Sequence, residues 1–331
     1  MKIVILDHPR ENPGEIDWSG FSAYGEVVKY DQTTPEEAAA RIGDAEIVFL
    51  NKTVLTRETI EACPHLRLIS VIATGYNTVD VAAAAERGIP VANVPSYGSE
   101  AIAQHAIALL LELTDHVAYH DGEVRKGRRN NDRDWCFWDY PGIELENKVC
   151  GIIGLGRIGQ ITARIVQAFG MKVLAYDQVQ HPELESPTCR YTDLDTLLAS
   201  SDVIFLHCPL FPETADIINR DSIAKMKDGV ILINNSRGGL VDEDALSDAL
   251  NSGKIYAAGL DAVKNEPISP DSPLLTAKNC CITPHISWAS LDCRQRLINY
   301  ALDNLRAYSD GTPTNIVNGV SIRNCVSAGN V

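Results

Sequence analysis

The sequence predicts an α/β protein built on two doubly wound parallel sheets. Three observations carry this. Short apolar runs of strand length alternate with helical patterns along the chain, the signature of parallel βα units. One run, from Val149 to Ile153, passes directly into Gly154, Gly156 and Gly159. The strands also fall into two groups, separated by a long apolar helix at 99–119.

In the first group, strands are expected at 2–6, 47–50, 68–72 and 91–93. A helical pattern at 35–41 opens on Pro35, and Thr34 before it can cap a first-turn amide. A second helix is expected at 81–87. The stretch 99–119 carries Ala101, Ile102, Ala106, Ile107, Leu109, Leu110, Leu111 and Leu113. With so little polar face it should be buried all round, either in a core or, on the sharper reading, against a second subunit. In the second group, strands are expected at 149–153, 172–176, 203–206, 230–233, 256–260 and 281–283. Six strands complete a dinucleotide-binding sheet. A last helix at 290–307 should return the chain to the first domain, and the polar tail 321–331 should be loose.

The bulk numbers bound the function. A chain of 331 residues is long enough for two domains, and 45% hydrophobic residues exclude disorder. A net charge of -15 argues against nucleic acid, and it requires local cations wherever an anionic substrate binds. Nine cysteines without paired CxxC spacing fit reduced, buried thiols of a cytoplasmic protein. The N terminus lacks the apolar length and cleavage site of a signal peptide. No run approaches the roughly 18 apolar residues that span a bilayer.

Each part of the glycine motif has a physical task. Gly154 permits a tight turn, Gly156 lets backbone approach a pyrophosphate, and Gly159 lets the following helix pack close to the strand. The helix N-terminus offers free amides and positive dipole to phosphates. Asp177 ends the next strand, about 20 residues on, where an acid can accept from an adenosine ribose.

Ligands of open α/β sheets sit beyond the carboxyl ends of the strands. That rule selects Thr74 and Gly75 after one strand, and Asn235 and Arg237 after another. It also selects Asp261 with Glu266 downstream, and His285 after the last strand. Hydride transfer to a ketone needs these types. The oxygen becomes negative and must meet a cation or donor. A proton must then arrive, and an imidazolium favoured by a neighbouring carboxylate can deliver it. An Arg fork or free amides can hold the carboxylate of a 2-oxo acid.

At these residues the chain resembles the D-isomer-specific 2-hydroxyacid dehydrogenases. The matching pieces run from Ala73 to Asp80, from Gly154 to Gly159, from Leu206 to Leu210 and from Asn235 to Gly239. They continue through Val241, Asp242 and Glu243, Gly259 to Asp261, and Thr283 to His285. The resemblance implies a Rossmann NAD domain at 99–287, with a dimerisation helix near 99–119. That domain would be inserted into a flavodoxin-like substrate domain at 1–98 and 288–331. It implies that His285 is the general acid/base, Glu266 its partner, and Arg237 the binder of substrate carboxylate and carbonyl. Thr74 and Gly75 would help hold the carboxylate. For NAD it implies Arg157 and Ile158 at the pyrophosphate, Asp177 at the ribose, Cys208 at the adenine side, and Asn235 with Asp261 at the carboxamide. Asp177 would also repel the extra phosphate of NADP, and residues 178–180 supply no cation to offset it.

Three stretches, from Asn51 to Thr56, Trp135 to Tyr140 and His285 to Ala289, resemble the glycerate dehydrogenase (hydroxypyruvate reductase) branch. Lys52 would add charge near the substrate or be a plain surface lysine. Trp135 and Trp138 would wall the pocket, from a neighbouring subunit or their own, or plug an interface. The resemblance thus implies a homodimer reducing hydroxypyruvate to D-glycerate, and glyoxylate to glycolate, with no metal, nucleic acid or membrane partner. Other readings stay open: a D-lactate or phosphite type of dehydrogenase, or a corepressor-like protein that binds NAD(H) as a switch.

Overall fold

The computed structural model describes residues 1–7, 16–128 and 135–321, so most of the tail expected to be loose, 322–331, lies outside the described residues. The chain divides into two compact units. Unit 1 comprises Met1–Gly98 and Ala289–Val331; unit 2 comprises Ser99–Trp288.

Unit 1 is a five-stranded parallel sheet in the order β2-β1-β3-β4-β5. Its strands are β1 (Lys2–Ile5), β2 (Glu26–Lys29), β3 (Ile47–Leu50), β4 (Leu68–Val71) and β5 (Val91–Ala92). This is the flavodoxin-like doubly wound order. β3 and β4 are buried at every residue, as central parallel strands covered on both faces must be. β2 was not foreseen because its sequence, Glu26-Val27-Val28-Lys29, buries no residue fully and lies at the sheet edge. Helix α1 (Pro35–Ile42) opens at Thr34 as expected, and the cap is reciprocal, which was not foreseen: the Thr34 amide donates to Glu37 Oε2 at 3.1 Å. Helices α2 (Arg57–Glu61) and α3 (Val81–Glu86) follow, each capped by a side-chain oxygen, from Thr56 and Asp80 respectively. The last helix, Leu291–Ser309, begins at Ser290 and belongs to this unit.

Unit 2 is a seven-stranded parallel sheet in the order β12-β11-β10-β9-β6-β7-β8. Its strands are β6 (Val149–Ile153), β7 (Lys172–Tyr176), β8 (Cys189–Tyr191), β9 (Val203–Leu206), β10 (Val230–Asn234), β11 (Ile255–Leu260) and β12 (Cys280–Ile282). The expectation of six strands is corrected by β8. That three-residue edge strand reads Cys-Arg-Tyr and shows no apolar run, so pairing with β7 rather than composition makes it a strand.

The long helix is also corrected. It does not run to Tyr119: α4 (Ser99–Asp115) stops where His116 takes a left-handed φ of 50°, and α5 (Val117–Arg125) restarts beyond it. Nor is it buried all round within the chain. Ala103, Ala106, Ile107, Leu109, Leu110, Leu113 and Thr114 are buried, whereas Gln104 and Ala108 are exposed. Its buried side joins a core with Cys150, Ile152, Phe205 and Ile233, and it packs along α6 (Arg157–Ala168).

All eight cysteines among the described residues are free thiols. Cys63, Cys150, Cys189, Cys208 and Cys293 are buried, Cys280 and Cys281 are half-buried, and Cys136 is exposed. Among the described residues no helix is long and apolar enough to cross a membrane.

One side chain ties the end of β9 to α6. His207 Nε2 lies 2.9 Å from Thr162 Oγ1, while its Nδ1 is sealed from solvent without a partner. Burial pushes the pKa of this ring from the ordinary 6.5 down to about 3. A histidine that titrates lower when folded favours the fold above its unfolded pKa. That contribution is lost as pH falls from about 6.5 toward about 3. His207→Gln, which keeps a hydrogen-bonding group without a titratable one, is expected to flatten the decline of Tm across this window. An unchanged slope in a thermal melt series would contradict the assignment.

Candidate active site

The cofactor edge of unit 2 is built by close backbone approaches. Gly154 adopts φ 98°, and a Cβ there would sit 2.5 Å from the Cys208 nitrogen and 2.6 Å from the His207 carbonyl carbon. A Cβ on Gly159 would overlap the Gly154 carbonyl oxygen, so α6 seats directly on the strand end. Gly156 is different. It is exposed, its φ is −71°, and a Cβ would meet no protein atom within 4 Å. The protein packs nothing there that needs a glycine, whereas a closely approaching pyrophosphate does. No side chain caps α6, which leaves its first amides for an anion. Arg157, exposed, and Ile158, half-buried, form its first turn.

Asp177 follows β7 and turns back to the same edge. Its Oδ2 accepts from the Leu155 amide at 2.7 Å, and Oδ1 from the Val179 amide at 3.3 Å. Two of its roughly four acceptor positions are thereby used, and the rest can serve a ribose diol. Cys208 is buried against the Gly154 turn, and burial pushes its thiol up to about 11, so it stays protonated at neutral pH.

The loops after β10, β11 and β12 hold the chemistry. After β10, the Asn234 side chain donates to Arg237 O at 2.9 Å, and Ser236 Oγ donates to Leu206 O at 2.8 Å. These bonds set the loop and leave the Arg237 side chain exposed, with Nη1 on Ser236 O at 2.8 Å. Asn235 is buried. Its Nδ2 donates to Ile102 O at 2.8 Å and to Ser287 Oγ at 3.3 Å, while its Oδ1 has no partner. A buried acceptor left unpaired costs about 1–3 kcal/mol. A carboxamide donor, such as nicotinamide carries, would satisfy it.

Glu266 and His285 meet. His285 Nδ1 lies 2.8 Å from Glu266 Oε2, and the two side chains are 33% and 34% exposed, enough to reach a ligand. Glu266 Oε1 accepts from the Val263 amide at 3.3 Å, which holds the carboxylate on its own loop. His285 itself sits at φ 57°, uncommon for a residue with a side chain. Its neighbours enforce this conformation. The His285 amide donates to Thr283 O at 2.9 Å, and Trp288 Nε1 donates to His285 O at 3.0 Å. Buried Asp261 accepts from Thr283 Oγ1 at 2.5 Å, Ile286 N at 2.8 Å and Ser287 N at 2.7 Å. Asp261 thus organises the turn that carries His285, with one acceptor position of Oδ2 left over.

Sequence reasoning missed three contributors here. His105 on α4 places Nε2 3.0 Å from Thr283 Oγ1 and 3.6 Å from Asp261. Its i,i+4 position in an apolar helix signals nothing by itself. Thr283 was quoted only as part of a motif. Gly238 is the third: a Cβ there would overlap the Val263 carbonyl carbon, so the Arg237 loop and the Glu266 loop touch through a glycine. In unit 1, Lys52 is exposed at the end of β3. Thr74 Oγ1 donates to Val94 O at 2.9 Å, and Asn93 Nδ2 donates to Thr74 O at 2.8 Å; Gly75 follows. The loop from Trp135 to Tyr140 is held by Asp139, which takes bonds from Tyr119 and Arg128. It leaves Trp135 88% and Trp138 71% exposed.

Gly238→Ala should force the two loops apart, since the opposing atoms are backbone. A displacement near 1 Å can cost about a hundredfold in rate, and a fall of that order in kcat/KM is expected, with NADH affinity changed little. Gly239→Ala meets only the flexible end of Leu210 and should leave kcat/KM near the parent value. Equal effects from the two substitutions would refute the contact.

Comparison with known proteins shows the family. Residues 107–287 match the model of the D-isomer specific 2-hydroxyacid dehydrogenase, NAD binding domain. A hydroxypyruvate reductase of Blautia hydrogenotrophica is 58% identical over 96% of this chain and 100% of that protein. A glycerate dehydrogenase of Methylorubrum extorquens is 40% identical over 96% of this chain and 98% of that one. Among solved structures, D-lactate dehydrogenase from Aquifex aeolicus, complexed with NAD and lactic acid, superposes with a TM-score of 0.81. It is 31% identical and aligns with 94% of this chain and 96% of its own. The chain belongs to the D-isomer-specific 2-hydroxyacid dehydrogenases, NAD-dependent enzymes.

Proposed function

We propose that this enzyme reduces small 2-oxo acids to D-2-hydroxy acids, with hydroxypyruvate to D-glycerate as the principal reaction and glyoxylate to glycolate as a secondary one. The observation that carries the reading is the 2.8 Å pair of His285 and Glu266. The 58% identity to a hydroxypyruvate reductase supports the choice of substrate. NADH, when bound, supplies the hydride.

The chain's own residues do the rest. Glu266 accepts from His285 Nδ1, so Nε2 is the nitrogen that delivers a proton to the substrate oxygen. Arg237 has five donors and spends one on Ser236 O, which leaves a fork for the carboxylate and the carbonyl oxygen. Thr74, Gly75 and Lys52 are assigned to the same carboxylate. Gly154, Gly156, Arg157, Ile158 and Gly159 hold the pyrophosphate, Asp177 the ribose, Cys208 the adenine side, and Asn235 with Asp261 the carboxamide. The enzyme is further read as a cytoplasmic homodimer. Exposed Val117, Tyr119, Val124, Trp135 and Trp138, close in sequence, support a subunit contact.

A kinetic screen of hydroxypyruvate, glyoxylate, pyruvate and phosphohydroxypyruvate with NADH, and of phosphite with NAD, tests the substrate. Hydroxypyruvate should give the highest kcat/KM, and a higher value for any other substrate would overturn the choice. His285→Ala should lower kcat by about a hundredfold or more, the usual weight of a positioned acid; near-parental turnover would remove it from the mechanism. Asp177→Ala should narrow the preference for NADH over NADPH, and an unaltered ratio of kcat/KM values would contradict the ribose assignment.

A further inference from the structure

Asp7 stands just past β1, and its carboxylate is taken up by one turn of its own unit. Oδ2 accepts from three successive amides, Asn51 at 2.7 Å, Lys52 at 2.8 Å and Thr53 at 2.9 Å. Oδ1 accepts from the Thr53 hydroxyl at 2.7 Å. Charge-assisted bonds of this kind are roughly twice as strong as neutral ones, so the backbone of the turn after β3 is fixed on one side. The other side is fixed by the chain itself: Leu55 N donates to Thr78 O at 2.8 Å and Asp80 N to Leu55 O at 3.0 Å. Thr53 and Leu55 are buried, and Lys52 is exposed.

The charge arrangement is selective. Asp7 holds the Lys52 amide and leaves its ammonium alone, and among the described residues Lys52 makes no ion pair. The chain has 44 acids against 29 Lys and Arg residues, so an unpaired lysine stands among an excess of acids. The Asp7 carboxylate already gathers four donors, three of them backbone amides on Oδ2. β3 and β4 run in parallel register, with Leu50 opposite Val71, and Ile72 N donates to Leu50 O at 2.7 Å. The Lys52 turn and the Thr74–Gly75 turn therefore leave the same edge of the unit 1 sheet.

We propose that Asp7 is a positioning residue for substrate capture: by gathering the amides of residues 51–53 it holds an unpaired Lys52 ammonium at this edge for the carboxylate of the 2-oxo acid. This rests on the assignment of Lys52 to that carboxylate. Steady-state kinetics of the full chain, with saturating NADH and varied hydroxypyruvate, tests both. Lys52→Met should raise KM for hydroxypyruvate about tenfold, with kcat and KM for NADH little changed, as lost ground-state binding does. Asp7→Ala should do the same. Asp7→Asn, whose Oδ1 can still receive the amides, should restore most of the affinity. The double variant Asp7→Ala/Lys52→Met should be no worse than Lys52→Met alone, because both act through one contact. If Lys52→Met matches the parent, the Lys52 assignment falls and the proposal with it. If Lys52→Met is impaired and Asp7→Ala is not, or if their effects multiply, the proposal falls and the Lys52 assignment stands. Should Asp7→Ala fail to fold, Thr53→Val removes one donor from the carboxylate. It should raise KM about two- to threefold in the parent and not at all in the Lys52→Met background. Equal increases in both backgrounds overturn the proposal.

Discussion

The catalytic end of unit 2 depends on the buried carboxylate of Asp261. It lies at the end of β11 and accepts bonds from Thr283, Ile286 and Ser287, which follow β12. Ser287 in turn meets Asn235 after β10, and Asn235 donates to Ile102 on α4. Three neighbouring strand ends and one helix are thereby joined by a chain of polar contacts. Such a network is stable in a low-dielectric interior only when its members are satisfied together. One atom stands outside that balance, Asn235 Oδ1, and it is the atom the carboxamide assignment requires. The strained backbone of His285 is a product of the same network, since His285 is bounded on both sides by groups bonded to Asp261.

Close backbone contact is the second theme of the fold. Gly159 rests on Gly154, and Gly154 rests on the chain at His207 and Cys208, so the phosphate turn, β6, α6 and the end of β9 form one rigid edge. Gly238 does the same for the Arg237 and Glu266 loops. At each contact a methyl group would collide with backbone, which cannot rotate away as a side chain does. Gly156 is the exception, because the space its missing side chain would fill is open.

Much of this was legible in the chain. β6, β7 and β9 lie where their apolar runs place them, because buried parallel strands are apolar on both faces. A rule about strand ends selected Asp177, Glu266 and His285, and the family resemblance implied that Glu266 pairs with His285, as the structure has them. The misses share a cause. β2 and β8 are edge strands whose pairing, not their composition, makes them strands, and the break at His116 is a single backbone rotation with no glycine or proline to announce it.

The sequence by itself determined the parallel α/β architecture, the glycine turn and the residue types at the strand ends, because hydrophobic period and glycine geometry are local properties. Tertiary structure alone decided contacts that no motif implied. Asp7 and residues 51–53, Asp261 and the turn after β12, and Gly238 and Val263 are distant in the chain and meet only because parallel strands finish at one edge. Such contacts are set by strand order and register, and no local pattern of residues encodes either.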